Sequence, residues 1–106
     1  MKESKITAQC PIRTTLEMLG GKWRLLIISQ IGEGRLRYGE LKRGIPDISE
    51  KMLVQELKNL MDNDLVIRHN HGEVPPRVDY TLTENGKKAL ALVEPIKKFG
   101  LEYIKR

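Results

Sequence analysis

The side chains best suited to an anionic partner are Ser49, Lys51, Gln55 and Lys58. Helical spacing puts them on one polar arc, together with Met52, Glu56 and Asn59. Gln55 can donate and accept, as paired bonds to adenine require, and Lys51 can reach guanine or a phosphate. Ser49, at the head of such a helix, suits a phosphate. Downstream, Arg77 follows Pro75-Pro76, with Arg68 and the pair Lys42-Arg43 earlier in the chain. Two consecutive prolines stiffen a loop, and an arginine at a stiff tip suits a narrow minor groove. The alternative for Arg77 is packing on the domain or pairing with Glu73.

Three other groups carry less chemistry. Cys10 precedes a predicted helix start and lies close to Arg13, a setting that favours oxidant or electrophile sensing. An inert free thiol is the alternative. His69, His71 and Glu73 alternate as strand residues do, but three ligands on one strand edge make a poor metal site, so exposed edge histidines are expected and no metal. The chain shows no phosphate loop, nucleophile elbow, His-Glu-x-x-His or paired acid and base. Neither enzymatic activity nor a cofactor is expected.

The elements that must position these residues can be read from periodicity. Pro11 suits a first helical position, and Ile12, Leu16 and Leu19 share a face. A second helix over 22–31 places Trp23, Leu26, Ile27, Gln30 and Ile31 in register, widened by Leu25 and Ile28. Leu36-Arg37 reads as a brief strand, and 38–43 as a short helix with Gly39 at its cap. Ser49 caps the next helix, which runs to Asp62 and buries Leu53, Leu57, Leu60 and Met61. Asn63 is expected in the left-handed conformation at its end. Residues 65–69 and 78–82 read as strands, with Val78, Tyr80 and Leu82 inward and Asp79 and Thr81 outward. Thr83 caps a last long helix, kinked at Pro95. Its apolar residues Leu90, Ile96, Phe99, Leu101, Tyr103 and Ile104, with Ile12 of the first helix, exceed what one small core needs and point to a homodimer interface.

At 106 residues the chain has room for one core, with 1–9 as a flexible arm and 10–106 as a single domain. Nineteen Lys and Arg against 14 Asp and Glu give a net charge of +5, which favours an anionic partner. A single cysteine excludes an intrachain disulfide and fits a reducing cytoplasm. No signal peptide or bilayer-length apolar run is visible, so no membrane is expected.

Several motifs carry a resemblance: Cys10-Pro11, Gly20-Gly21-Lys22-Trp23, Gly39-Glu40-Leu41, Ile48-Ser49-Glu50-Lys51-Met52-Leu53 and, above all, Glu73-Val74-Pro75-Pro76-Arg77-Val78-Asp79-Tyr80. Over residues 10–104 the chain resembles the HxlR family of transcription regulators. That implies an α+β, mainly α, winged helix-turn-helix fold related to the MarR group, with dimerisation through the terminal helices. It also implies sequence-specific binding of double-stranded DNA, with some family members sensing oxidants or electrophiles through a cysteine where Cys10 stands. A serine is usual at Gly39, a small polar residue at Met52 and a basic one at Glu56. The last two departures touch the face expected to meet DNA. The rival reading is a monomeric winged-helix module for protein or RNA contacts.

Overall fold

The computed structural model describes residues 6–105. Their order is α1 (Pro11–Leu19), α2 (Arg24–Ile31), β1 (Leu36–Arg37), α3 (Tyr38–Gly44), α4 (Glu50–Asp62), β2 (Val66–Asn70), β3 (Val78–Leu82), α5 (Glu84–Leu90) and α6 (Val93–Ile104). The strands form one antiparallel sheet in the order β1-β3-β2. Leu36 lies opposite Tyr80 on one side of β3, and Arg68 lies opposite Tyr80 on the other. Of the expected arm 1–9, residues 1–5 lie outside the described residues.

The core gathers around Ile27, Ile28, Leu41, Ile48, Leu53, Leu57 and Leu60, all fully buried. α2 turns Ile27, Ile28 and Ile31 inward but leaves Leu26 and Gln30 exposed, so its buried stripe is rotated from the expected one. It also starts at Arg24, two residues later than read, with Trp23 at its cap. On the other side of the core, Gly86 sits against the chain entering β2. A Cβ there would run into the Leu65 carbonyl oxygen, so glycine is what lets α5 pack this closely.

Local chemistry moved three other features. The cap of α3 is Arg37 rather than Gly39, and the Arg37 N–H donates to Glu40 Oε1 at 2.8 Å. The left-handed residue after α4 is Asp64 (φ 59°), not Asn63 (φ −94°). Its carbonyl accepts from Thr83 Oγ1 at 2.6 Å, which ties the end of α4 to the start of α5. The expected long final helix is two helices. A proline ring clashes with the carbonyl four residues back, here that of Ala91. The helix breaks at Ala91-Leu92, which brings Pro95 into the first turn of α6, where its missing N–H has no partner to lose.

The molecule is elongated. Its extents are 61 × 35 × 24 Å and its radius of gyration is 15.8 Å, against about 13 Å for an ordinary domain of this length. The terminal helices cause this. α1 buries only Leu19, and α6 has no buried residue.

Candidate nucleic-acid interface

α3, the turn over residues 45–49 and α4 form the helix-turn-helix. Leu41, Ile45 and Ile48 are buried beneath the turn, and Lys42 Nζ donates to the Pro46 carbonyl at 3.3 Å across it. Ser49 caps α4 as expected, its Oγ accepting from the Met52 N–H at 3.0 Å. Tyr38 Oη donates to the Glu50 carbonyl at 3.4 Å. Burial, with the nearby charge of Glu50 and the influence of Tyr80, pushes the Tyr38 phenol above its ordinary value, so it stays a donor.

Leu53, Leu57 and Leu60 face the core, which sets the rotation of α4 about its axis. Lys51, Gln55 and Lys58 are then exposed on the opposite side. Lys51 and Gln55 make no side-chain hydrogen bond or ion pair among the described residues, whereas Lys58 pairs with Asp62 at 3.0 Å. Met52 is half-buried and packs on the core. Val54, outside the polar arc drawn from the sequence, is 57% exposed.

Glu56 does not join the outward face. Its Oε1 accepts from Arg24 Nε at 2.7 Å, with the two side chains only 19% (Arg24) and 13% (Glu56) exposed. Arg24 Nη1 also donates to the carbonyls of Glu17 and Met18, at 3.0 and 3.2 Å. One guanidinium thus binds the last turn of α1 and holds α4. Nothing in the sequence signals this, because Arg24 and Glu56 lie on different helices and each reads alone as a surface charge.

The wing is β2, β3 and the loop between them, closed at its base by the His71 N–H donating to the Arg77 carbonyl at 3.0 Å. Asp79 points into the protein, not out as its alternation suggested, and is only 3% exposed. β3 is the central strand, and side chains from both flanks cover its second face. Asp79 accepts from Arg35 Nη1 at 3.0 Å and from His71 Nε2 at 2.9 Å. Burial alone would raise this carboxyl, but the hydrogen bonds and charges of His71 and Arg35 outweigh it and hold Asp79 below the usual carboxylate range. His69, expected as a free edge residue, shares a 2.8 Å hydrogen bond with Thr81 Oγ1. Arg77 is half-buried and its Nη2 lies 3.4 Å from Glu73 Oε2, while its Nε is buried without a partner among the described residues. Arg43 is exposed near the end of α3.

Cys10 is the N-cap of α1 and is half-buried. It borders a shallow apolar depression with Ile6, Ile12, Arg13, Leu16 and Glu17. Of the residues expected at a subunit interface, Ile12, Ile96, Phe99, Leu101, Tyr103 and Ile104 are exposed, and Leu90 is half-buried against the core.

Two packed helices, a capped helix with a free polar face and a β-hairpin wing define a winged helix-turn-helix transcriptional regulator. Residues 18–106 match the family described as HxlR-like helix-turn-helix. Over 101 residues the chain is 44% identical to a candidate regulatory protein, MalR, of Fusobacterium mortiferum, covering 94% of this chain and 95% of that one. The crystal structure of a candidate MarR-family transcriptional regulator from Porphyromonas gingivalis W83 superposes with a TM-score of 0.90 at 49% identity, covering 94% of this chain and 98% of that chain. The redox regulator HypR in its oxidized form superposes with a TM-score of 0.83 at 34% identity, covering 88% of this chain and 96% of that chain. The chain belongs to the HxlR family.

Proposed function

We propose that residues 10–106 act as one domain, and that two copies associate through α1 and α6 to bind a palindromic operator in the cytoplasm. The observation that carries this is the apolar surface of the terminal helices. Ile12 on α1 and Phe99, Tyr103 and Ile104 on α6 are each 65% exposed or more, and large apolar side chains left in water in this number mark an interface. A two-fold axis through it would present two copies of α4 to two half-sites of one duplex.

In this reading α4 enters the major groove. Gln55 pairs with a base, Lys51 meets a base or a phosphate, and Lys58 and Arg43 meet phosphates. The Ser49 hydroxyl, whose oxygen already accepts from Met52, donates to a phosphate, and Met52 flanks the contact. Arg77 lies at the base of the wing and adds positive charge to the backbone contact. Sedimentation at micromolar concentration, with gel shifts on the chain's own upstream DNA against random competitor, tests the proposal. A dimer that prefers a two-fold symmetric duplex over an isolated half-site is expected. A monomer, or equal affinity for random DNA, overturns it and favours a module for protein or RNA contacts.

The similarity to a redox regulator favours a second element, in which Cys10 sets DNA affinity by reacting with an oxidant or electrophile. The chain has one cysteine. A disulfide would join two subunits, or Cys10 and a small thiol, with two electrons passing to the oxidant, whereas an electrophile would alkylate the thiol. Mild peroxide or a quinone should change the affinity of the wild type and leave Cys10→Ser unchanged. Equal responses remove Cys10 from the mechanism.

A further inference from the structure

α4 carries one side chain that neither the core nor the polar contacts explain. Val54 is 57% exposed, and it is the only large apolar residue so placed on this helix. Leu53, its neighbour, is fully buried, so the rotation of α4 is fixed and Val54 cannot turn inward without expelling Leu53. A β-branched residue ranks below alanine for an exposed helical position, so helix formation does not call for it.

Its surroundings specify a partner. Lys51 is three residues before Val54 and Lys58 four after, the two spacings that place neighbours on one helical face. Gln55 adjoins it, and all three polar neighbours are exposed. An apolar protein surface docking here would have to strip water from two ammonium groups. Double-stranded DNA meets both demands at once: phosphates line the edges of the major groove, and the one apolar group on its floor is the 5-methyl of thymine. Val54 also lies in the first half of α4, the part of a recognition helix nearest the bases.

We infer that Val54 is a specificity-determining residue that packs against the 5-methyl group of one thymine in each half-site, close to the base read by Gln55. The inference rests on the operator-binding reading above.

The test uses the full chain to select its preferred duplex from a random pool. Each thymine of that duplex is then replaced singly by deoxyuridine, which removes the methyl and keeps every hydrogen-bonding group. One replacement per half-site should weaken wild-type binding about fourfold, the worth of one buried methyl-sized group. Val54→Ala, which alters both protomers, should bind the thymine duplex about as weakly as the wild type binds a duplex with both contacted thymines replaced, about sixteenfold below the parent pair. It should be indifferent to either replacement. Its thermal melting should be unchanged or higher, which separates the effect from unfolding. Wild-type protein that binds thymine and uracil alike at every position overturns the inference and leaves operator binding intact. So does a uracil penalty that persists undiminished in Val54→Ala. Failure to select any sequence overturns the operator-binding reading itself, and this inference with it.

Discussion

The helix-turn-helix and the wing are both positioned by buried contacts, but of opposite kinds. α4 is fixed by Leu53, Leu57 and Leu60, none more than 2% exposed, and one ion pair at its edge. The second face of the wing is fixed by a carboxylate with an arginine and a histidine. Apolar burial involves no titrating group, while a charged cluster responds to acid. The two candidate DNA-contacting surfaces should therefore fail under different conditions.

Leu57→Ala tests the apolar half and should have the largest effect. Leu57 is 2% exposed, and truncating a leucine so buried costs about 2–5 kcal/mol. Urea unfolding should show it as a lower midpoint with an unchanged slope, and DNA binding should fall only where the protein unfolds. A loss below about 1 kcal/mol would mean that this core collapses around the gap and does not grip α4 as described.

Arg24→Ala tests the edge of the same half. It removes one partner of a mostly buried pair and strands the Glu56 carboxylate, at a cost of about 1–3 kcal/mol. Arg24→Ala combined with Glu56→Gln should recover part of that loss. A double-mutant cycle with no coupling would reduce the 2.7 Å contact to two independent surface charges.

The charged half should answer to acid. A carboxyl held below its unfolded value stabilises the fold at pH above that value, and the contribution is lost as pH falls through the folded value. For Asp79 the window therefore lies below pH ~4. Hydrogen exchange in acid should show the amides of β2 and β3 opening before those of α4. In Asp79→Asn the difference between the two regions should lose its pH dependence. Uniform opening would show that wing and helix unfold as one unit.

The effects smallest for the fold itself are confined to DNA binding and decide which half reads sequence. Gln55→Ala should lower the operator-to-scrambled affinity ratio by about 1–3 kcal/mol at one position per half-site. Lys58→Ala and Arg77→Ala should weaken all duplexes and flatten the salt slope by about one unit per lost phosphate contact. Titrations at several salt concentrations separate the two behaviours. If Arg77→Ala erases the ratio and Gln55→Ala preserves it, the wing is the reader.

Much of this arrangement is legible in the residue order because it is local. The Ser49 cap, the 53/57/60 spacing and the brief strand at Leu36-Arg37 each rest on residues within one or two turns of each other. The recognition helix and the hairpin follow from them. What could not be read is set by distant neighbours. Asp79 alternates like a surface residue, and only the strands on both sides of β3 and the approach of Arg35 bury it. Glu56 sits at the margin of a polar arc, and its guanidinium partner comes from another helix. The break before Pro95 was legible as a disturbance but not in its form. A kink and a full break both accommodate the missing N–H, and the contacts of α5 with the core decide between them.

The arginine bound to the end of α1 and to Glu56 also bears on how such a regulator can change its target over generations. α4 is not a portable cassette. A recognition helix taken from a relative with a basic residue at position 56 would bring a second cation against Arg24, so inheritance at the two positions must be joint. In the operator-binding reading proposed above, drift toward new operators runs through the outward positions 51, 54, 55 and 58, which make no hydrogen bond or ion pair to another element among the described residues.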